Sequence, residues 1–314
     1  MIVEGLLVPL VTPFDARGEV DVGALERLAV AVLDAGADGL VALATTGEAS
    51  SLDEREREAV IAVCADVARA RDVVLLVGAG TNDTRTTIAR HEALGDVDGV
   101  AGSLAVVPYY VRPSEAAIVA HFEAVAARSP VPLVLYNIPY RTGRGLGAEA
   151  LLALAEVDGV VGVKQAVGAL DADTLSLLAG APEDFAVLCG DDAFMLPILL
   201  MGGAGAIAAS AHLCTERFVA LLASAREGRA ADARLHAEAL LSLVLALFAE
   251  PSPAVLKGVL HAHGRIATPD VRMPLGAASA PAVERAVAAC GAARGEPTKT
   301  APSRSTAPAP ARAR

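Results

Sequence analysis

The feature that most constrains this chain is a sustained alternation of short apolar runs with longer amphipathic stretches, rich in alanine. Residues 6–11, 40–44, 73–77, 100–107, 133–136, 160–164, 186–189 and 206–209 read as strands. Between and after them, 23–35, 53–70, 84–94, 114–127, 148–155, 172–178, 193–200 and 216–225 read as helices. Eight strand–helix units in about 225 residues is the period of a (β/α)8 TIM barrel. A doubly wound parallel sheet shares the alternation, but no GxGxxG follows the first strand. Residues 230–293 read as helices only. The expected organisation is therefore a barrel over 1–226 and a small C-terminal helical region over 227–294. From 295 to 314, Pro, Ala, Ser, Thr and Arg dominate without an apolar period, and this tail is expected to be disordered.

With 54% hydrophobic residues but no Trp, 6 Phe and 4 Tyr, the core has to be built from Ala, Val, Leu and Ile. That suits the layered interior of a parallel barrel. A net charge of −11 argues against nucleic acid or an anionic membrane as partner, while a few local donors can still hold a small anion. Cys64, Cys189, Cys214 and Cys290 form no CxxC pair and read as small core residues of a reducing compartment. The first twenty residues carry no cationic start followed by a long apolar stretch. No apolar window reaches the length of a membrane span, so a cytoplasmic protein is expected.

Among 26 basic residues only Lys164, Lys257 and Lys299 are lysines. Lys164 ends the run Val160-Val161-Gly162-Val163, where a barrel strand delivers side chains to the catalytic face. An arginine cannot replace a lysine that must lose its proton and attack a carbonyl. Desolvation in a barrel mouth makes an amine a usable nucleophile, although a strand-end lysine can equally serve as the partner of a carboxylate. All four tyrosines stand at two strand ends: Tyr109 and Tyr110 after the fourth, Tyr136 and Tyr140 around the fifth. A phenol there can relay the protons of imine and enamine chemistry, or simply cap the barrel.

Three loops add to the set. Thr45-Thr46-Gly47-Glu48 follows the second strand, offering hydroxyls and turn amides for a carboxylate, with Gly47 permitting close approach. Arg141 can clamp a second carboxylate through its planar fork. Gly190-Asp191-Asp192 can bind a metal or cap the next helix, and the cap is the expected role. His261 and His263 are the close histidine pair, on opposite sides of a helical turn. With no HxxxH or CxxC, neither a metal nor another cofactor is expected.

Taken together and in order, Thr45-Thr46-Gly47-Glu48, Pro108-Tyr109-Tyr110, Tyr136-Asn137-Ile138-Pro139, Gly162-Val163-Lys164 and Gly190-Asp191-Asp192 resemble one family. It is the dihydrodipicolinate synthase/N-acetylneuraminate lyase family of class I aldolases, and the resemblance runs over residues 5–293. It implies that Lys164 is the Schiff-base lysine and Tyr136 the proton-shuttling phenol. Thr45 would link Tyr136 to Tyr110, which would reach across a subunit interface. Thr46 would bind the pyruvate carboxylate, and the Ile207 backbone would line the pocket. A homotetramer built from two tight dimers is also implied.

Tyr140-Arg141-Thr142-Gly143 and the segment from Glu250 to Lys257 look like the synthase branch. In that branch Arg141 would hold the carboxylate of aspartate semialdehyde. The implied reaction condenses pyruvate with this aldehyde, giving 4-hydroxy-tetrahydrodipicolinate for lysine and diaminopimelate synthesis. Gln165, Val167, Val111 and Ala44 depart from that branch, where Glu, a small hydroxyl residue, Asn and Gly are usual. These departures keep open a sister enzyme acting on a sugar-derived 2-oxo acid such as 2-keto-3-deoxygluconate or N-acetylneuraminate. A non-catalytic barrel that binds a 2-oxo acid is the remaining alternative. Glu54, Arg57 and Thr86 match the family's lysine-feedback positions poorly, so feedback control is not expected.

Overall fold

Eight parallel strands close into a barrel in the computed structural model of the protein, which describes residues 3–296. The strands are β1 (Gly5–Pro9), β2 (Gly39–Ala42), β3 (Val74–Gly78), β4 (Gly102–Val106), β5 (Leu133–Asn137), β6 (Val160–Gln165), β7 (Ala186–Cys189) and β8 (Gly205–Ile207). Each pairs with the next, and β8 returns to β1 through Gly5 opposite Gly205 and Leu7 opposite Ile207. Helices α1 (Val22–Asp34), α2 (Glu54–Arg71), α3 (Thr84–Glu92), α4 (Glu115–Ala126), α5 (Pro139–Thr142), α6 (Ala148–Ala155), α7 (Ala172–Gly180), α8 (Met195–Leu200) and α9 (Thr215–Arg226) alternate with them. The C-terminal helices are α10 (Ala230–Leu247), α11 (Ala254–Ala262) and α12 (Ala280–Arg294). This is the expected (β/α)8 architecture. Of the tail expected to be disordered, residues 297–314, with Lys299, lie outside the described residues.

Several helix starts are written in the sequence as capping side chains. Asp21, Asp53, Asp83, Ser114, Asp171 and Ser279 each accept from a backbone amide two or three residues into the following helix. Asp53 and Glu56 complete a reciprocal capping box. Gly295, with φ +79°, ends α12 in the left-handed conformation that glycine adopts at little cost.

Strand residues alternate between two cores, as a period of two requires. Leu7, Val41, Leu76, Leu104, Val134, Leu188 and Ile207 fill the barrel interior, with Tyr136 at its end. Their neighbours Leu6, Val8, Leu40, Leu75, Leu133, Leu135 and Val163 pack outward under the helices. Both faces are buried, which is why the strands read as unbroken apolar runs. Each such side chain contributes about 1.5–3 kcal/mol by leaving water. In the C-terminal region, a Cβ on Gly258 would lie 2.5 Å from Val283, so α11 and α12 approach through that glycine. All four cysteines are free and buried, and no helix among the described residues is long and apolar enough to cross a membrane.

The eighth strand is shorter than the run 206–209 suggests. Ala209–His212 instead form a 3-10 turn. His212 holds it there: Nδ1 lies 2.9 Å from the Ala209 carbonyl, and Nε2 accepts the Val11 amide at 3.2 Å. A carbonyl can only accept, so the Nδ1–H tautomer of the neutral ring is fixed. Burial pushes this imidazole down to about 4. His121 is also pushed down to about 4, first by burial and then by its neighbour His91.

These shifts predict acid sensitivity. The unfolded chain protonates its histidines near pH 6.5, whereas the folded protein withholds both protons until about pH 4. Stability is therefore intact above pH 6.5 and falls as pH drops toward 4, by up to roughly 3 kcal/mol for His212. Denaturant midpoints at pH 7 and pH 5 should show the loss, and His212→Asn should flatten the slope. Equal midpoints at the two pH values would contradict a buried neutral His212.

Candidate active site

Register brings the two central residues together. Tyr136 on β5 pairs with Lys164 on β6, at the C-terminal ends of both strands and on the inner face of the barrel. Both are nearly inaccessible, at 5% and 4% exposure. The Lys164 Nζ lies 4.4 Å from the centroid of the Tyr136 ring. Lys164 takes part in no ion pair among the described residues. The alternative of a strand-end lysine held by a carboxylate is thus not what the fold builds. Glycine makes room for the amine's stem: a Cβ on Gly190 would sit 2.9 Å from Lys164 Cγ and 3.0 Å from Cε. Sequence reading placed Gly190 in a motif but gave it no such task, because the contact exists only across the β6–β7 pair.

The expected role of Asp191 and Asp192 as a helix cap is not what the structure shows. Neither acts as a side-chain cap on the turn Asp192–Phe194, where Asp191 holds the N-cap position. Asp191 accepts the Tyr140 phenol at 2.9 Å through Oδ1 and the Gly168 amide at 2.6 Å through Oδ2. It joins the loops after β5, β6 and β7. Asp192 accepts the Ser210 amide at 2.7 Å and is buried close enough to feel Lys164. Burial pushes the Asp192 carboxyl up, against the pull of Ser210 and of the Lys164 charge. No group of three metal-ligating side chains occurs among the described residues.

The threonine loop is one 3-10 turn, Thr45–Gly47, bracketed by two non-glycine residues in left-handed conformations, Leu43 (φ 55°) and Glu48 (φ 52°). Such residues persist only where the surroundings dictate them. Leu43 packs against the bare face of Gly78, whose Cβ would fall 2.0 Å from the Leu43 carbonyl. Thr12 donates to the Gly47 carbonyl at 2.7 Å. Glu48 is held hardest of all. Its Oε1 accepts Lys257 Nζ at 2.7 Å and its Oε2 the Arg272 amide at 2.7 Å. Both side chains of the Glu48–Lys257 pair are 0% exposed, and Lys257 Nζ stands 4.0 Å above the Phe14 ring. Burial pulls the Lys257 amine down while the Glu48 charge opposes it. Thr46 and Gly47 end up buried, with Thr45 exposed beside them. Ile207 closes the barrel interior below, in the same cluster as Ala44 and Tyr136.

Arg141 sits on the single turn α5, exposed, on the wall of a groove of about 530 Å³ shared with Tyr140, Gly168, Asp191, Asp192 and Phe248. It joins no ion pair among the described residues. Tyr110 stands apart, at 86% exposure and φ 69°, on the loop after β4. Arg112 ties that loop to α5 by donating to the Gly143 carbonyl at 3.2 Å. The fold thus pairs Lys164 with Tyr136 and clusters Tyr136 with Ile207 and Ala44, buries Thr46 and Gly47 in the following turn, and leaves Thr45, Arg141 and Tyr110 exposed.

Gln165 faces away from this mouth. Its amide donates to Thr174 Oγ1 at 3.1 Å and accepts from Asn137 Nδ2 at 3.0 Å, behind β6. Alternation along the strand explains this: with Lys164 inward, Gln165 must point outward. The residue that departs most visibly from the synthase pattern therefore lies outside the site.

A parallel eightfold barrel that buries a primary amine beside a phenol at the ends of adjacent strands, with a hydroxyl-bearing turn next to them, defines a lyase of the class I aldolase type. The chain belongs to the dihydrodipicolinate synthetase family, whose sequence model matches residues 2–291. It is 41% identical over 290 residues to a 4-hydroxy-tetrahydrodipicolinate synthase of Moorella thermoacetica, covering 90% of this chain and 96% of that one. Among solved structures, dihydrodipicolinate synthase from Thermotoga maritima superposes with a TM-score of 0.90 at 30% identity, covering 94% of this chain and 99% of that one. A chloride-inhibited dihydrodipicolinate synthase from Acinetobacter baumannii, solved in complex with pyruvate, gives 0.89 at 32% identity, with 93% and 99% covered.

The Glu48–Lys257 pair carries its own test. Lys257→Met strands a buried carboxylate and should cost about 3–5 kcal/mol of stability. Adding Glu48→Gln should recover most of it, read from denaturant unfolding. A single variant as stable as the wild type would show that the pair does not hold the turn.

Proposed function

We propose that the protein condenses pyruvate with L-aspartate 4-semialdehyde to 4-hydroxy-tetrahydrodipicolinate, the step that feeds lysine and diaminopimelate synthesis. The observation that carries this reading is the buried Lys164 amine, 4.4 Å above the Tyr136 ring and free of any carboxylate partner among the described residues. The names of the relatives and the pyruvate bound in one of them support the substrates.

In this scheme the Lys164 amine attacks the pyruvate ketone carbon, and water leaves to give an imine. Tyr136 hands the departing oxygen a proton and relays the methyl proton lost as the enamine forms. Thr46 and Gly47 hold the pyruvate carboxylate, Thr45 links Tyr136 to the relay, and the Ile207 backbone lines the pocket. The enamine carbon then bonds to the aldehyde carbon. The new chain's own amine attacks the imine carbon, closes the ring and expels Lys164 as a free amine. One water is released per turnover.

Arg141 favours aspartate semialdehyde over a sugar-derived 2-oxo acid. A guanidinium open to the groove gives a second carboxylate two parallel donors, and this aldehyde carries one. Tyr110, standing in solvent in one chain, is assigned to the relay of the partner subunit in a homotetramer of two tight dimers. The barrel and helical region are assigned to residues 1–226 and 227–294 of a cytoplasmic enzyme.

Borohydride added with pyruvate should fix one pyruvyl unit on Lys164, seen by mass spectrometry, and Lys164→Arg should abolish it. No adduct in the wild type would sink the mechanism. Tyr136→Phe should lower kcat about a hundredfold or more, as loss of a proton relay does. Gly190→Ala, by displacing the lysine stem, should slow adduct formation by about a hundredfold, with the thermal midpoint read alongside because the new methyl would also meet Ala166 Cβ at 2.8 Å. Normal trapping in that variant would show that Gly190 does not set the amine's position.

A further inference from the structure

Tyr140 is neither buried in the core nor a member of the lysine–phenol pair, yet it is tightly placed. It lies on α5, directly before Arg141, and its phenol donates to Asp191 Oδ1 at 2.9 Å. The other oxygen of Asp191 accepts the Gly168 amide at 2.6 Å. Gly168 holds φ +77°, and the Tyr140 ring carbon Cδ1 lies 3.8 Å from where its Cβ would be. The ring thus covers the Gly168 backbone while the hydroxyl reaches past it. Each oxygen of the carboxylate thus faces one donor of the protein itself, which fixes where the group points. Burial and the Asp191 charge both push the Tyr140 phenol up, so it stays protonated as the donor at neutral pH.

Arg141 and Asp191 line the same groove, one cation and one anion, without being paired. A carboxylate released from these donors would be free to turn toward the guanidinium, which is the group offered to the second substrate in the proposed reaction. We propose that Tyr140 is a specificity-determining positioning residue: by occupying Asp191 it keeps that carboxylate off Arg141 and leaves the guanidinium open to the carboxylate of the aldehyde. The inference rests on the condensation proposed above, with Arg141 as the clamp.

The test compares wild type, Tyr140→Phe, and Tyr140→Phe combined with Asp191→Asn in steady-state assays with pyruvate and L-aspartate 4-semialdehyde. Tyr140→Phe frees Asp191 to pair with Arg141 and should raise KM for the semialdehyde about tenfold, the scale of one charge-assisted hydrogen bond. KM for pyruvate and the rate of borohydride trapping should change by less than about twofold. The double variant should recover most of the semialdehyde KM, because an amide at 191 carries no charge to compete with. A residue that only packs would not be rescued by removing a carboxylate. Thermal midpoints of both variants confirm that they fold.

An unchanged semialdehyde KM in Tyr140→Phe, or a double variant as impaired as the single one, overturns the inference. The wild type is read first: no turnover there overturns the condensation, and this inference with it.

Discussion

The buried pair of Glu48 and Lys257 is the contact on which the front of the barrel depends. Its net worth to stability is modest, since two desolvated charges mostly repay their own desolvation. Its worth in geometry is larger. Glu48 sits in a left-handed conformation that an L side chain adopts reluctantly, and the turn Thr45–Gly47 is fixed between it and the equally unusual Leu43. Lys257 comes from α11 and the second partner, the Arg272 amide, from the segment after it. Arg272 then extends the tie to the Ser51 carbonyl, the Gly18 carbonyl and Glu56 on α2. The C-terminal helices therefore set the shape of the threonine turn.

The two described lysines of this arginine-rich chain make an informative contrast. Both are nearly or wholly inaccessible. Lys257 is given a carboxylate at 2.7 Å and an aromatic face, and serves as a fixed cation. Lys164 is given a phenol ring and a bare glycine beside its stem. A guanidinium in either place would be too large and too permanently charged. In the proposed mechanism Lys164 must lose its proton, which a guanidinium could not do.

Much of this was legible in the sequence, and for a physical reason. Buried parallel strands need unbroken apolar runs, so the eight strands stood out, and a lysine ending one of them was visible as an anomaly. What escaped depends on distance along the chain. Glu48 and Lys257 are 209 residues apart, although the scarcity of lysine was a usable signal that Lys257 had a task. Gly190 matters because of a neighbour one strand away. Asp191 looked like a cap because a short acidic step before a helix usually is one, and only the partners Tyr140 and Gly168 reveal a tie between loops. Gln165 looked like a change in the site because it follows Lys164, but strand alternation turns it outward.

The same contacts reconcile a net charge of −11 with the proposed anion site. The acids around the turn and the groove each accept from within: Glu48 from Lys257 and Arg272, Asp191 from Tyr140 and Gly168, Asp192 from Ser210, Glu250 from Ser279. A carboxylate held by fixed donors has its desolvation compensated and its direction set. The remaining surface charge lies farther away and is screened over about 8–10 Å at ordinary ionic strength. In the proposed reaction, the single carboxylates of the keto acid and of the aldehyde then meet chiefly Arg141 and the threonine turn. In the proposed reaction, local satisfaction of the acids outweighs overall charge at the mouth.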